Sequence, residues 1–164
     1  MRLGQATGLD MCMTSGLLTA TGAETVYDTT VTITFSINGV LYTKTAVTDG
    51  ATPTTDINTA AAFTALQPDK ACTFLWMLNA SGTVAVAQGP IVDVDGDVDL
   101  VELQMPLFPT VKAGYVPFAY QKIQTSGASS AWTFGVGNWN ATGVTDIIKN
   151  ISTLPSRPAT DLTA

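Results

Sequence analysis

The stretch Val31 to Val47 reads Val-Thr-Ile-Thr-Phe-Ser-Ile, then Asn38-Gly39, then Val-Leu-Tyr-Thr-Lys-Thr-Ala-Val. Before the turn, apolar and polar residues alternate with the two-residue period that sends one set to each face of a strand. Asn38 and Gly39 favour the left-handed backbone of a type I′ turn, whose twist matches that of two antiparallel strands. The stretch therefore predicts a β-hairpin in which Phe35 faces Tyr42.

The composition is poor in charge. The chain has 164 residues, enough for one domain, and 12% of them are charged, whereas typical soluble domains carry about 25%. Mean hydropathy is +0.27, yet no apolar run approaches the ~18 residues that span a bilayer, so no membrane partner is expected. Such a chain stays dissolved through small polar residues or through burial of its surface against partners. We expect both.

The charge balance and the cysteine count exclude several classes of function. The net charge is −6, and the seven cations are scattered along the chain. Nucleic-acid binding needs clustered cations, so no nucleic-acid partner is expected. Cys12 and Cys72 are too few for a disulfide framework or a zinc site, and two buried thiols are favoured over one bridge. Residues 1–10 lack the cationic region and apolar core of a signal peptide.

Further strands are predicted downstream of the hairpin. Cys72 to Leu78 is apolar on both faces, which is typical of a central strand. Ile91 to Leu103 predicts another hairpin. Tyr115 to Ile123 predicts a strand that pairs with Trp132 to Val136, where Pro117 is confined to an edge or a bulge.

Two short helices are predicted from capping signals. Asp56 is a good N-cap for a helix from Ile57 to Leu66, and Pro68 ends the run. Asp146 precedes a second run with helical spacing, which Pro155 ends. The apolar residues of this run are Ile147, Ile148, Ile151 and Leu154.

The predicted fold is mainly β: an antiparallel β-sandwich or flattened barrel with two short helices and extended termini. Residues 1–24 form either an N-terminal arm that docks on a neighbour or a first strand around Met11 to Leu18. Residues 25–154 form the β-rich body, and residues 155–164 form a C-terminal tail.

A cluster of carboxylates surrounds the predicted turn at Asp95-Gly96. Carboxylates are suitable calcium ligands, but an EF-hand loop counted from Asp93 would need Gly and Glu where the chain has Val98 and Gln104. An acidic turn that discourages pairing between sheet edges is therefore favoured over a calcium site. The cluster consists of Asp93, Asp95, Asp97 and Asp99.

The sequence offers little for catalysis. It contains no histidine, the commonest general base and metal ligand. It also lacks a Gly-x-Ser-x-Gly motif, a phosphate-binding loop and a dinucleotide fingerprint. A carboxylate pair including Asp97 could hydrolyse a glycoside, and Trp76, Trp132 or Trp139 could stack on a sugar. Core tryptophans are the favoured interpretation, and neither an enzyme nor a cofactor is expected.

The segment from Pro109 to Thr145 carries a resemblance. It contains Pro-x-Val-x-Ala-Gly-x-Val-Pro-Phe-Ala-Tyr and later Asn-Trp-Asn-Ala-x-Gly-Val-Thr. This pattern resembles small structural proteins of tailed bacteriophage virions, most closely capsid decoration or cement proteins. The resemblance implies a place on the outside of the phage head, binding to the major capsid protein, and a homo-oligomer, with a trimer favoured.

The expected contacts with the capsid lattice lie in the N-terminal arm and the C-terminal tail. The arm residues are Leu3, Met11, Met13, Leu17 and Leu18. A tail, neck or fibre component of the virion is the first alternative. A carbohydrate-binding β-sandwich module, which predicts an exposed tryptophan platform and calcium at the acidic hairpin, is the second.

Overall fold

The computed structural model describes residues 10–20, 22, 25–94 and 106–153, and these residues are mainly β. They contain strands paired in antiparallel sheets and no helix. The strands are β1 (Met11–Cys12), β2 (Leu18–Thr19), β3 (Val26–Thr29), β4 (Ile33–Ile37), β5 (Val40–Lys44), β6 (Val47–Ala51), β7 (Lys70–Asn79), β8 (Val84–Gln88), β9 (Val92–Asp93), β10 (Tyr115–Thr125) and β11 (Val144–Asn150).

The predicted hairpin is confirmed as β4 and β5. Ile37 pairs with Val40 across the turn, and the rings of Phe35 and Tyr42 stack with centroids 5.7 Å apart. Asn38 has a φ of 52° and Gly39 a φ of 77°, as a type I′ turn requires. With β1 on the other side of β4, the hairpin forms a sheet in the order β1-β4-β5, which we call the N-terminal sheet.

The longest strands form the central sheet. Its order is β11-β10-β7-β8, with β9 pairing β7 beside β8, and a third sheet has the order β2-β3-β6. Cys72 to Leu78 is buried on both faces within β7, as predicted. The register of β10 against β7 shifts between Pro117 and Ala119, so the proline lies at the expected bulge.

One large core joins all three sheets. Phe134 lies at its centre, fully buried, although it belongs to a turn rather than to a strand. The ring of Phe134 stacks on Phe74 with centroids 4.2 Å apart. Its other aromatic neighbours are Phe63, Trp76, Trp132 and Trp139, with centroids 5.0 to 6.1 Å away. A loop residue therefore fills the space between the sheets.

The second face of the central sheet has a smaller core around Leu75 and Tyr120. Phe108 packs edge-on against Tyr120 with ring centroids 5.0 Å apart. The hydroxyl of Thr73 in β7 donates to the carbonyl of Pro106 at 3.2 Å. The segment that begins at Pro106 therefore covers this face and explains why β7 is apolar on both sides.

The first predicted helix, Ile57 to Leu66, is wrong. The Asp56 carboxylate accepts from Asn58 N–H at 2.9 Å and so caps a tight turn, after which Ala60 takes a φ of 58° that ends any helix. Ile57 N–H donates to Val86 O in β8 at 3.0 Å. Pairing with distant strands therefore overrides the local capping signal.

The second predicted helix, from Ile147 towards Leu154, is also wrong in its described part. Val144 to Asn150 is the strand β11, which pairs with β10 from Val144 opposite Thr125 to Asn150 opposite Ala119. The β-branched residues suit a strand, and the eleven-residue β10 has an edge that needs a partner.

β11 pairs with β10 in place of the predicted partner, Trp132 to Val136. That segment does not pair with β10. Trp132 instead forms an isolated bridge with Leu66, and a turn follows. Residues 1–9, the C-terminal tail and the turn at Asp95-Gly96 lie outside the described residues, whereas residues 10–20 supply β1 and β2.

Candidate functional site

The outer face of the N-terminal sheet carries exposed apolar side chains. Met11 and Leu41 flank Ser36 in one cross-strand row. Met13 N–H donates to Thr34 O at 2.7 Å, which continues the β1 pairing and places the Met13 side chain on the same face as Met11. We call Met11, Met13 and Leu41, with the hydroxyl residues between them, the apolar face.

The apolar face is uncharged at its outward-facing strand positions, and Met13 and Leu41 are exposed on it, whereas Ser36 in its middle row is buried. Leu41 is 60% exposed and Met13 is 51% exposed, while Met11 is half-buried. The opposite face of the same sheet carries Ile33 and Phe35, which are fully buried in the core. The sheet thus has a filled inner side and an outer side of methionine, leucine, threonine and serine, a composition suited to packing against another protein.

The five residues predicted for the lattice contact occupy different environments. Met11 and Met13 lie on the apolar face. Leu17 is 48% exposed in a left-handed conformation with a φ of 45°, just before β2. Leu18 is 2% exposed and packs in the large core, because β2 pairs with β3. Leu3 and the C-terminal tail lie outside the described residues.

Two exposed residues of β5 were not among the predicted contacts. Val40 is 52% exposed, and Leu41 is more exposed still. The sequence did contain a signal, since Val40, Leu41 and Tyr42 are three consecutive apolar residues that place hydrophobic groups on both faces of one strand. Tyr42 packs against the core, so Leu41 points to the opposite face, while Val40 shares the face of Tyr42 but lies exposed beside the turn.

The tryptophans do not form a binding platform. Trp76 is fully buried, Trp132 is 3% exposed and Trp139 is 4% exposed. A cavity of about 340 Å³ adjoins Trp132 and is lined mainly by small residues between Ala128 and Val144. The Trp132 indole N–H is already used, because it donates to Asn138 O at 3.0 Å. The tryptophans therefore give no support to a carbohydrate-binding module.

The acidic cluster is described only at its first residue. Asp93 forms an ion pair with Lys70 at the end of the β7–β9 pairing. Asp95, Asp97 and Asp99 lie outside the described residues, so the choice between an acidic turn and a calcium site stays a prediction. Within the described ranges, no three Asp, Glu or Cys side chains are grouped as metal ligands would be.

A buried chain of hydrogen bonds links three polar side chains of the central sheet. Trp76 Nε1 donates to Gln121 Oε1 at 3.3 Å, and Gln121 Nε2 donates to Asp146 Oδ2 at 2.9 Å. Gln121 is fully buried, so both ends of its carboxamide are satisfied within the protein. Burial raises the pKa of Asp146, and the bond from Gln121 lowers it by a smaller amount. These hydrogen bonds fix the position of Trp76. They do not pair a nucleophile with a general base.

Asp146→Asn is expected to stabilise the protein at pH 7 by less than about 1 kcal/mol, since the group is only partly buried. The pKa of this carboxyl is higher in the folded state than in the unfolded state, where it is about 3.9. The carboxyl therefore stabilises the folded state at a pH below the unfolded-state pKa, and this stabilisation is lost as the pH rises through the folded-state pKa. The asparagine removes the cost of the buried charge and still accepts from Gln121. Urea unfolding should show the gain at pH 7 and none near pH 3.5. An equal gain at both pH values would contradict this assignment.

Both cysteines are free and buried, which confirms the interpretation of two buried thiols. Burial raises the pKa of Cys72 to about 12, and its Sγ donates to Gly89 O at 3.2 Å. Burial also raises the pKa of Cys12. Neither thiol is therefore suited to act as a nucleophile at neutral pH.

The described residues contain no helix long and apolar enough to cross a membrane. The segment from Pro109 to Thr145 supplies β10, the start of β11 and the central Phe134, so it builds the scaffold behind the apolar face. No protein-family model, curated protein or solved structure matches this chain.

Proposed function

We propose that this chain is a virion structural protein that decorates the outside of a tailed-phage head and stabilises contacts between capsid subunits. The observation that carries the proposal is the uncharged apolar face of the N-terminal sheet. Met13 and Leu41 are more than half exposed on a strand framework whose other side is rigidly packed. Such a face works by noncovalent contact and needs no chemistry.

The composition supports the same function. Only 12% of the residues are charged, so the chain has few of the ionic groups that keep an isolated surface hydrated. The outward-facing positions of β1, β4 and β5 hold no charged residue. A repeating shell multiplies each modest contact, because many copies bound to one lattice reinforce one another.

The phage head and the major capsid protein enter the proposal through the resemblance over Pro109 to Thr145. The proposal includes the finer fold expectation, a sandwich in which the central sheet packs across the core from the two smaller sheets. The core that joins residues of all three sheets supports that arrangement. A tail, neck or fibre component would use the same face, and the location of binding on the particle separates the two.

Binding to heads tests the proposal with Met13→Asp and the matched control Val136→Asp. Met13 lies on the apolar face, whereas Val136, 65% exposed, lies on the turn after Trp132. A carboxylate buried in an interface without a partner is costly, so we expect Met13→Asp to weaken binding at least ~10-fold, or about 1.4 kcal/mol per site. Val136→Asp should stay within about twofold of the wild type.

The measurement is co-sedimentation of the purified chain with empty heads assembled from the major capsid protein of the same genome. Saturation at a fixed number of chains per capsid subunit, together with the selective loss in Met13→Asp, would support the proposal. Absence of binding to heads, binding to tails instead, or equal losses in the two variants would contradict it. Thermal unfolding of both variants checks that each is folded.

A further inference from the structure

In the part of the chain that the structure describes, strand β5 leaves a regular sheet edge open. Among the described residues it pairs only with β4, and that register runs without a shift from Val40 to Lys44. Edge strands are usually protected by charge, proline, a bulge or a covering segment, because their free N–H and C=O groups bind other strands. The first four residues of β5 are Val40, Leu41, Tyr42 and Thr43, and none of them is charged.

The other long edge strands are protected. In β8, the carbonyl of Val86 accepts from Ile57 N–H, so a loop covers part of that edge. In β6, Asp49 has a φ of 52° and the pairing with β3 shifts register, so that edge is irregular. β11 carries Asp146 and Lys149 within its span. β5 is the long edge in the described ranges that has no irregularity, no covering segment and no charge in its first four residues.

The turn geometry determines which backbone groups of β5 are free. A two-residue type I′ turn makes Ile37 and Val40 a hydrogen-bonded pair, and such pairs alternate along an antiparallel ladder. The N–H and C=O groups of Val40 and Tyr42 therefore point to β4. Those of Leu41 and Thr43 point away from the sheet.

We propose that two copies of this chain pair through β5, antiparallel to each other, about a two-fold axis that passes beside Tyr42. In this register Leu41 of each copy lies opposite Thr43 of the other, and both residues have outward-pointing backbone groups. The two Leu41–Thr43 pairs then form four backbone hydrogen bonds. Tyr42 lies opposite Tyr42 of the second copy in the closer, non-hydrogen-bonded pair.

The side chains are complementary in the same register. Val40, which is 52% exposed, comes to lie opposite Lys44 of the second copy, whose aliphatic stem can cover it. The two lysines are thereby kept at opposite ends of the interface. Asp10 Oδ1 accepts from Asn38 N–H at the turn next to Val40, so a carboxylate lies at the end where the lysine of the second copy arrives.

Pairing would also enlarge the apolar face. The two N-terminal sheets would join into one sheet of six strands in the order β1-β4-β5-β5-β4-β1. The apolar faces of both copies would lie on the same side of it, with Leu41 of each copy next to Thr43 of the other. This inference does not depend on the phage assignment, and it gives a two-fold dimer rather than the trimer that the resemblance implies.

Sedimentation of the full chain tests the pairing. We expect sedimentation to give the wild type a mass of twice the 17.1 kDa of one chain. Leu41→Lys with Thr43→Lys brings four lysines together at the axis and should raise the dimer dissociation constant at least ~10-fold. Leu41→Glu with Thr43→Lys puts opposite charges across each pair and should restore the dimer. All these positions are exposed, so the variants should fold.

Cysteine cross-linking tests the register. In the proposed pair the Cα atoms of the two Tyr42 residues lie ~4.5 Å apart, within the range that a disulfide bridges, so Tyr42→Cys should link two chains under mild oxidation. A mixture of Leu41→Cys and Thr43→Cys chains should also form a disulfide, because these two positions lie opposite each other. Either variant alone should not, because the two equivalent cysteines of a dimer are diagonal neighbours, ~7–8 Å apart. Val136→Cys is the exposed control.

The two assays overturn the inference in different ways. A wild type that stays at the mass of one chain at millimolar concentration, or that forms a stable trimer, would overturn it. So would a dimer that persists in the double-lysine variant, or a cysteine at Val136 that links as fast as one at Tyr42. Since Met13 lies outside β5, the head-binding assay of Met13→Asp can fail or succeed independently of these results.

Discussion

Replacing Phe134 by alanine is expected to lower the free energy of unfolding by about 3–5 kcal/mol, near the upper limit for one core residue. The side chain is fully buried and contacts five aromatic rings, the nearest being Phe74 at 4.2 Å between centroids. Because two of these rings belong to β7 and the other three lie in segments outside the named strands, they cannot close together around the space that alanine leaves. The substitution therefore loses both the buried area and the aromatic contacts.

Urea unfolding followed by tryptophan fluorescence measures this loss, since all three indoles adjoin Phe134. Phe134→Leu keeps most of the volume and should cost less than half as much. Val136→Ala, two residues away and largely exposed, should change the free energy by less than ~0.5 kcal/mol. A loss below about 1 kcal/mol for Phe134→Ala would show that the core can repack and that Phe134 is not its centre.

The hairpin was predictable from the sequence because its signals are local. The alternation before the turn and the Asn38-Gly39 pair act within a few residues, and they fixed the register down to Phe35 opposite Tyr42. The burial of β7 was predictable for a similar reason, because apolar residues at consecutive positions leave no polar face. In both cases the local preference agrees with the final packing.

The predicted helices failed because capping signals are also local but do not decide the outcome alone. Asp56 accepts hydrogen bonds as an N-cap does, yet Ile57 bonds to Val86 in a strand that lies far along the chain. Ile147 and Ile148 fit a helical spacing and a strand equally well. The open edge of β10 decided in favour of the strand.

The candidate surface was predictable only in part. The sequence marked Met13 and Leu18 alike as apolar residues of an arm without a sustained period, whereas the structure exposes the first and buries the second. Which apolar residues remain outside depends on which strands find partners, and that is a property of the whole topology. The exposure of Leu41 follows from the place of β5 at the edge of its sheet.

Gly135→Ala is expected to lower the free energy of unfolding by about 3 kcal/mol, through two separate effects. Gly135 has a φ of +72°, a left-handed conformation that an alanine adopts only at a cost of roughly 1–2 kcal/mol. A Cβ at this position would also lie 2.4 Å from the carbonyl oxygen of Pro53, and a backbone atom cannot move aside as a flexible side chain can. The turn that holds Phe134 in the core must therefore shift, which strains the packing around the ring.

Gly114→Ala separates the two effects, because Gly114 has a similar φ of +79° but open space where the Cβ would lie. We expect Gly114→Ala to lower the free energy of unfolding only by the cost of the left-handed backbone conformation, about 1–2 kcal/mol. The difference between the two variants in urea unfolding then measures the close approach of the turn to Pro53. Equal losses would mean that this contact is not tight, and that the position of Phe134 depends on its aromatic neighbours alone. A larger loss in Gly135→Ala would show that the contact with Pro53 helps to place the ring on which the core is built.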